Sequence, residues 1–428
     1  MERPKEGDLV IIEKNGQKWE GQVLPGQGPA ITLKLKSGYN VGLELDKGTK
    51  VTKTGEVETV RHKPVGFKQE FDKNKPLVSI LSAGGTIASS IDYSTGAISA
   101  TYSADDLVRS VPEISNFANI RTGKIFDEMS ENLSPSDWRT IARSVFEEIR
   151  QKEIAGAIVT HGTDTLSFTS SALSFMLRNL NKPVILTYAQ KSSDRGSTDS
   201  AMNLICSAVA ATTDIAEVVT VGHGTISDDF CLINRGNKVR KMHSSQRNTF
   251  RPINTLPIAK AWPDGKVEFV GNYKKKSMAE GEPYLADKLE EKVAIIKFYP
   301  GLDPAIIDWY IDRKYKGIII EGTGLGHVAM EKRGSLLPSI ERALESKIIV
   351  GMTTQTIYGS VNAYVYSNLR RLSERGVVYL MDMTTEAAYA KLMWVLGQTQ
   401  NEKEAKEMML KNIAGEFNPR LQPELFLY

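Results

Sequence analysis

Near Leu77 the pattern of the sequence changes, and that change sets the architecture. Before it, five short runs follow one another with only turn residues between them: Leu9–Glu13, Trp19–Leu24, Ala30–Lys36, Asn40–Leu45 and Thr49–Lys53. Asn15-Gly16 suits a type I′ hairpin, and Pro25–Gly28 and Ser37-Gly38 supply further turns. Strands so closely spaced predict a small β-barrel over residues 1–60, followed by a polar linker over 61–76. From Leu77 onward, apolar strands alternate with helical patterns. Leu77–Leu81 runs into a glycine-rich turn, and Ser134-Pro135 caps a segment in which Trp138, Ile141, Ala142, Val145 and Ile149 recur at helical spacing. A strand at Ala157–Val159, a helix from about Leu166 to Leu180 and strands after Pro183 and at Val218–Val221 continue the series. Such alternation predicts an α/β fold with mainly parallel sheets covered on both faces. A charged break over 276–292 separates the first α/β unit, 77–275, from a second, 293–428, with strands at Val293–Phe298, Gly317–Ile320 and Ile348–Met352 and a helix at Pro338–Glu345.

Composition narrows the classes of function. No apolar run approaches the roughly 18 residues of a membrane span, and the opening MERPKEGDLV lacks the apolar stretch of a signal peptide, so a cytoplasmic chain away from membranes is expected. The two cysteines, Cys206 and Cys231, form no CxxC pair, and the five histidines are scattered; no metal or disulfide framework is expected. A net charge of +3 is too small to imply nucleic-acid binding by itself.

Two strand ends each deliver a hydroxyl into a backbone-rich turn. In Leu81-Ser82-Ala83-Gly84-Gly85-Thr86, paired glycines permit a sharp turn and a close approach to a ligand, with Thr86 at the carboxyl end of a strand, where open α/β sheets bind ligands. In Thr160-His161-Gly162-Thr163-Asp164-Thr165, a helix opens directly after a strand. Its free amides favour a carboxylate, and Asp164 can hold an ammonium; alternatively Thr163 or Asp164 merely caps the helix. The basic stretch Arg235–His243 is either a solvated face or the source of a lysine that takes a proton from a threonine hydroxyl.

AGGTIAS (Ala83–Ser89) and HGTDT (His161–Thr165), about 75 residues apart, closely resemble the two signatures of the asparaginase/glutaminase family. VRKMH (Val239–His243) resembles its lysine segment, with Lys238 as the neighbouring alternative to Lys241, and Asp92–Gly96 resembles the tyrosine-bearing mobile loop. Glu321–Gly326 and Thr353-Thr354-Gln355 resemble pieces of its second domain. The resemblance implies an asparaginase-like two-domain amidohydrolase without cofactor or metal. Thr86 would be the nucleophile, Thr163 the second essential threonine, Asp164 and Lys241 the proton-handling pair and Tyr93 the residue orienting Thr86. Gly85, Gly162 and Asp164 would meet the substrate, with backbone N–H groups near Gly85 and Thr163 steadying the oxyanion. At Phe126–Ser130 the chain departs from the serine and glutamine that hold the substrate carboxylate in bacterial asparaginases, which leaves that contact unassigned.

The long segment before Leu77, with DYSTGAIS (Asp92–Ser99) and RGNKVRKMHSS (Arg235–Ser245), is similar to the branch formed by the D subunits of archaeal glutamyl-tRNA(Gln) amidotransferases. That likeness implies a glutaminase that feeds ammonia to a transferase subunit. The partner would carry the ATP- and Mg-dependent kinase step and most contacts to tRNA(Gln), and the chain would sit as a homodimer within a heterotetramer. A free-standing L-asparaginase is the alternative, and a ligand sensor without turnover ranks third.

Overall fold

The computed structural model describes the chain except residues 1–2, 6, 25–29, 36–39, 57–70, 86, 88, 92–97, 101–103, 193–197, 333 and 428, and it leaves the side chains of 40, 56, 89–91 and 98–100 undescribed. The expected five strands are present as β1 (Asp8–Lys14), β2 (Gln17–Val23), β3 (Ala30–Leu35), β4 (Asn40–Glu44) and β5 (Lys50–Glu56). Asn15 and Gly16 take φ of 52° and 75°, the left-handed pair that a two-residue hairpin demands, and Lys14 faces Gln17 across it. The strands form an antiparallel sheet in the order β4-β3-β2-β1-β5 around a small core of Val10, Ile12, Val23, Ile31, Leu33 and Leu43. The strand spacing predicts a small β-barrel; the five strands and their antiparallel order are present, and among the described residues no pairing of β4 with β5 closes them into a barrel.

The first α/β unit contains β6 (Leu77–Gly84), the short pair β7 (Ser89–Ile91) and β8 (Ile98–Ala100), α1 (Ala104–Ser110), β9 (Asn119–Glu128), α2 (Pro135–Ile149), β10 (Ile154–Thr160), α3 (Leu166–Met176), β11 (Leu177–Arg178), β12 (Val184–Thr187), α4 (Ser200–Ala211) and β13 (Val218–His223). It closes with β14 (Cys231–Arg235), β15 (Val239–Lys241), β16 (Phe250–Pro252), β17 (Ala259–Ala261) and β18 (Val267–Phe269). The main sheet runs β18-β17-β14-β13-β12-β10-β6-β9, parallel from β13 to β9 and antiparallel beyond β13. Side-chain alternation fills both faces: Leu81, Val159 and Leu186 enter one core with α2 and α3, while Ile80, Ile158 and Ile185 enter the other with α4. At the head of α2, Pro135 occupies the first turn and the Asp137 carboxylate accepts from the Ser134 amide at 2.7 Å.

The second unit has β20 (Val293–Lys297), β21 (Gly317–Gly322), β22 (Ile349–Thr354) and β23 (Val378–Tyr379) in one parallel sheet, with α5 (Ala305–Asp312), α6 (Leu337–Glu345), α7 (Ser367–Glu374), α8 (Thr385–Gln398) and α9 (Glu402–Leu410). The segment between the units contains β19 (Tyr284–Leu285), which pairs with β11. The units meet along α3 and α8, where Phe175 stacks on Trp394 and Trp138 meets Tyr389 edge-on, so one apolar core runs through both. Among the described residues no helix is long and apolar enough to cross a membrane.

Candidate active site

The turns that matter share one sheet edge because their strands are parallel neighbours: Ser82 of β6 lies opposite Thr160 of β10. Gly85 leaves β6 at φ 82°, and a Cβ there would fall 2.3 Å from the Gly162 nitrogen. Any other residue would therefore be strained in conformation and would collide with the second turn. A third turn, after β9, completes the contact. Glu128 O accepts from the Gly85 amide at 3.1 Å, and the Ser130 side chain sits where a Cβ on Gly162 would fall. Gly85 thus acts as a spacer whose N–H is engaged by Glu128.

The Lys241 amine, arriving on β15, donates to Thr163 Oγ1 and to Asp164 Oδ1, both at 2.8 Å. Neither residue caps α3: that position belongs to Thr165, whose hydroxyl donates to Ser130 O at 2.7 Å. Thr163 is 7% exposed, whereas the Asp164 side chain is 64% exposed and has room for a ligand's ammonium. A cleft of about 380 Å³ opens beside this group between the two units, walled by Asp164, Lys241, Arg240, Glu321 and Glu386. Lys238, the alternative lysine, points elsewhere and pairs with Asp382 at 2.9 Å. The basic stretch is therefore no solvated face. Thr86 and Tyr93 lie outside the described residues. Among the described residues no group of three or more His, Cys, Asp or Glu side chains is arranged to hold a metal.

Two further residues belong here that motif reading did not assign. His161 is fully buried, and burial pushes its imidazole down to about 4, so the ring is neutral. Its Nδ1–H donates to Gly162 O at 2.7 Å, which fixes the tautomer and holds the turn that carries Thr163. Ser130, 2% exposed, braces Gly162 and Thr165 from the opposite side. Its one sequence signal was its place in the Phe126–Ser130 stretch, where a carboxylate contact was missing.

Comparison with known proteins identifies the family. The sequence profile of the asparaginase N-terminal domain matches residues 77–275, that of the glutaminase/asparaginase C-terminal domain matches 292–409, and that of the GatD N-terminal domain matches 5–53. The D subunit of the Pyrococcus furiosus glutamyl-tRNA(Gln) amidotransferase is 48% identical over 98% of this chain and 97% of its own, and its Methanothermobacter thermautotrophicus counterpart is 47% identical over 97% and 94%. Among solved structures, the thermostable L-asparaginase of Thermococcus kodakarensis is 35% identical, with a TM-score of 0.71, over 80% of this chain and all of its own. L-asparaginase I of Vibrio cholerae is 28% identical, with a TM-score of 0.69, over 80% and 99%. With an asparaginase-like pair of α/β units, a lysine on the threonine–aspartate turn and near-full-length relatives of one kind, the chain belongs to the family of glutamyl-tRNA(Gln) amidotransferase D subunits.

Proposed function

We propose that this chain is the glutaminase subunit of a tRNA-dependent amidotransferase. It hydrolyses glutamine to glutamate and ammonia, and a partner subunit uses the ammonia to convert Glu-tRNA(Gln) to Gln-tRNA(Gln). The observation that carries this reading is the contact of Lys241 with both Thr163 and Asp164, in a chain whose likeness to the D subunits includes the segment before the first α/β unit. Glutamine lodges with its ammonium on Asp164. The Thr86 hydroxyl, following Gly85 in the chain, attacks the side-chain carboxamide carbon, with Tyr93 orienting it. The proton passes by way of Thr163 and Lys241 to the departing nitrogen, which leaves as ammonia. Backbone N–H groups of the Thr163 turn stabilise the oxyanion, an effect typically worth a few kcal/mol. Water then cleaves the threonyl ester and frees glutamate. ATP and Mg act in the partner's activation of the tRNA-bound glutamate; this chain needs neither.

A glutaminase that serves a partner should be slow alone. Ammonia production from glutamine is therefore measured for the chain alone, with the partner, and with the partner plus glutamate-charged tRNA. The rate is expected to rise at each addition, and less with uncharged tRNA. Fast asparagine hydrolysis by the isolated chain, unchanged by any addition, would make it a free-standing asparaginase.

A further inference from the structure

The strand that delivers Lys241 is gripped from the other unit. Lys238, just before β15, and Arg240, within it, each reach an acid of the C-terminal unit. Lys238 Nζ donates to Asp382 Oδ2 at 2.9 Å, and Arg240 Nε lies 3.3 Å from Glu386 Oε1. Both acids belong to the C-terminal unit, Asp382 in the loop after β23 and Glu386 in the first turn of α8. Asp382 also accepts from the Asn418 amide and side chain, each at 2.8 Å. Asn254, just past β16, exchanges hydrogen bonds with the Gly359 backbone at 3.0 and 3.1 Å. The β15–β16 hairpin is thus tied to the C-terminal unit through Lys238, Arg240 and Asn254, while Lys241 carries its amine to Thr163.

We infer that Asp382 and Glu386 are positioning residues for Lys241: the C-terminal unit, by gripping Lys238 and Arg240, sets where the amine meets Thr163 and Asp164. The inference rests on the amidohydrolase reading above only for its kinetic consequence. The hydrogen bonds of Lys241 to Thr163 and Asp164 are both 2.8 Å, a reach that a small shift of the strand would break. Misplacing a reacting group by about 1 Å can cost on the order of a hundredfold in rate.

The test uses the full chain with Asp382→Asn, Glu386→Gln, Arg240→Ala and Arg240→Lys, read in two ways. The first is kcat and KM for ammonia release. The second is the rate at which an acylating reagent modifies Lys241, mapped by mass spectrometry against Lys403, whose side chain is 88% exposed. Loosening the grip should lower kcat about tenfold to a hundredfold with little change in KM. It should also raise Lys241 acylation severalfold while leaving Lys403 unchanged, with Arg240→Lys close to wild type. If circular dichroism finds Asp382→Asn unfolded, Glu386→Gln and Arg240→Ala, at the cleft wall, decide the matter. Unchanged kcat and unchanged Lys241 acylation in the folded variants would overturn the inference, as would a rise in KM alone. If the wild type released no ammonia even with the partner and glutamate-charged tRNA, the amidohydrolase reading would fall, and the acylation rates alone would decide for or against the grip.

Discussion

Thr163 and Lys241 are joined by one 2.8 Å hydrogen bond, and the proposed chemistry needs both ends of it. Thr163→Ala and Lys241→Ala should each cut ammonia release by about 10²–10⁴-fold, the usual worth of a positioned proton-transfer group. The double variant should be little worse than either single one, because the pair acts as a unit. Steady-state kinetics on the three variants checks this, and near-wild-type turnover in either single variant would remove the threonine–lysine mechanism. His161 makes a second prediction, one of stability. Its imidazole titrates near 6.5 in the unfolded chain and is pushed down to about 4 by burial, so between those values the unfolded chain binds a proton that the native chain refuses. Stability falls as pH drops through that window, by about 2 kcal/mol from this residue between pH 6.5 and 5. Guanidinium unfolding at both pH values should give a flatter dependence for His161→Gln than for wild type.

At the scale of elements, the three turns after β6, β9 and β10 touch through backbone, and Gly85 is the tightest point. Gly85→Ala should leave the rest of the sheet folded yet force the first turn off the second, so that turnover collapses while circular dichroism and the sheet's unfolding midpoint change modestly. Undiminished turnover would mean that the turns need not touch. Parallel strands were legible in the sequence because each is an apolar run buried on both faces, and the head of α2 was legible because Ser134-Pro135 is local chemistry. The antiparallel edge β14, β17 and β18 was not, since β17 and β18 are three residues each and take their order from pairing rather than pattern. Helix α4 also escaped, for Ser200–Ala211 is buried almost all round and has no polar stripe to mark a period. In the site, Thr163, Asp164 and Lys241 came from motifs. Ser130 and the burial of Lys238 depend on what the fold brings opposite them, which no local pattern encodes.

At the scale of the whole molecule, the N-terminal sheet has its own small core, whereas Asp72 is already clasped to the first α/β unit. The Asp72 amide donates to Asn119 Oδ1 at 2.9 Å, and Asn119 Nδ2 donates to Asp72 O at 2.7 Å. Removing residues 1–70 keeps that clasp and should leave a folded amidohydrolase that no longer assembles with its partner. Pull-down against the partner, with circular dichroism as the folding control, measures it, and undiminished assembly would assign the sheet another role. The two α/β units allow no such separation. Lys238 and Arg240 in one meet Asp382 and Glu386 in the other, and the apolar core of α3 and α8 crosses between them. Over evolutionary time the sheet at the front can therefore be gained, lost or exchanged as a module, while the catalytic half and the half that grips its lysine must be inherited together. A recombination event falling between residues 276 and 292, however neatly it spared each unit's own core, would join a hairpin to acids that no longer match it.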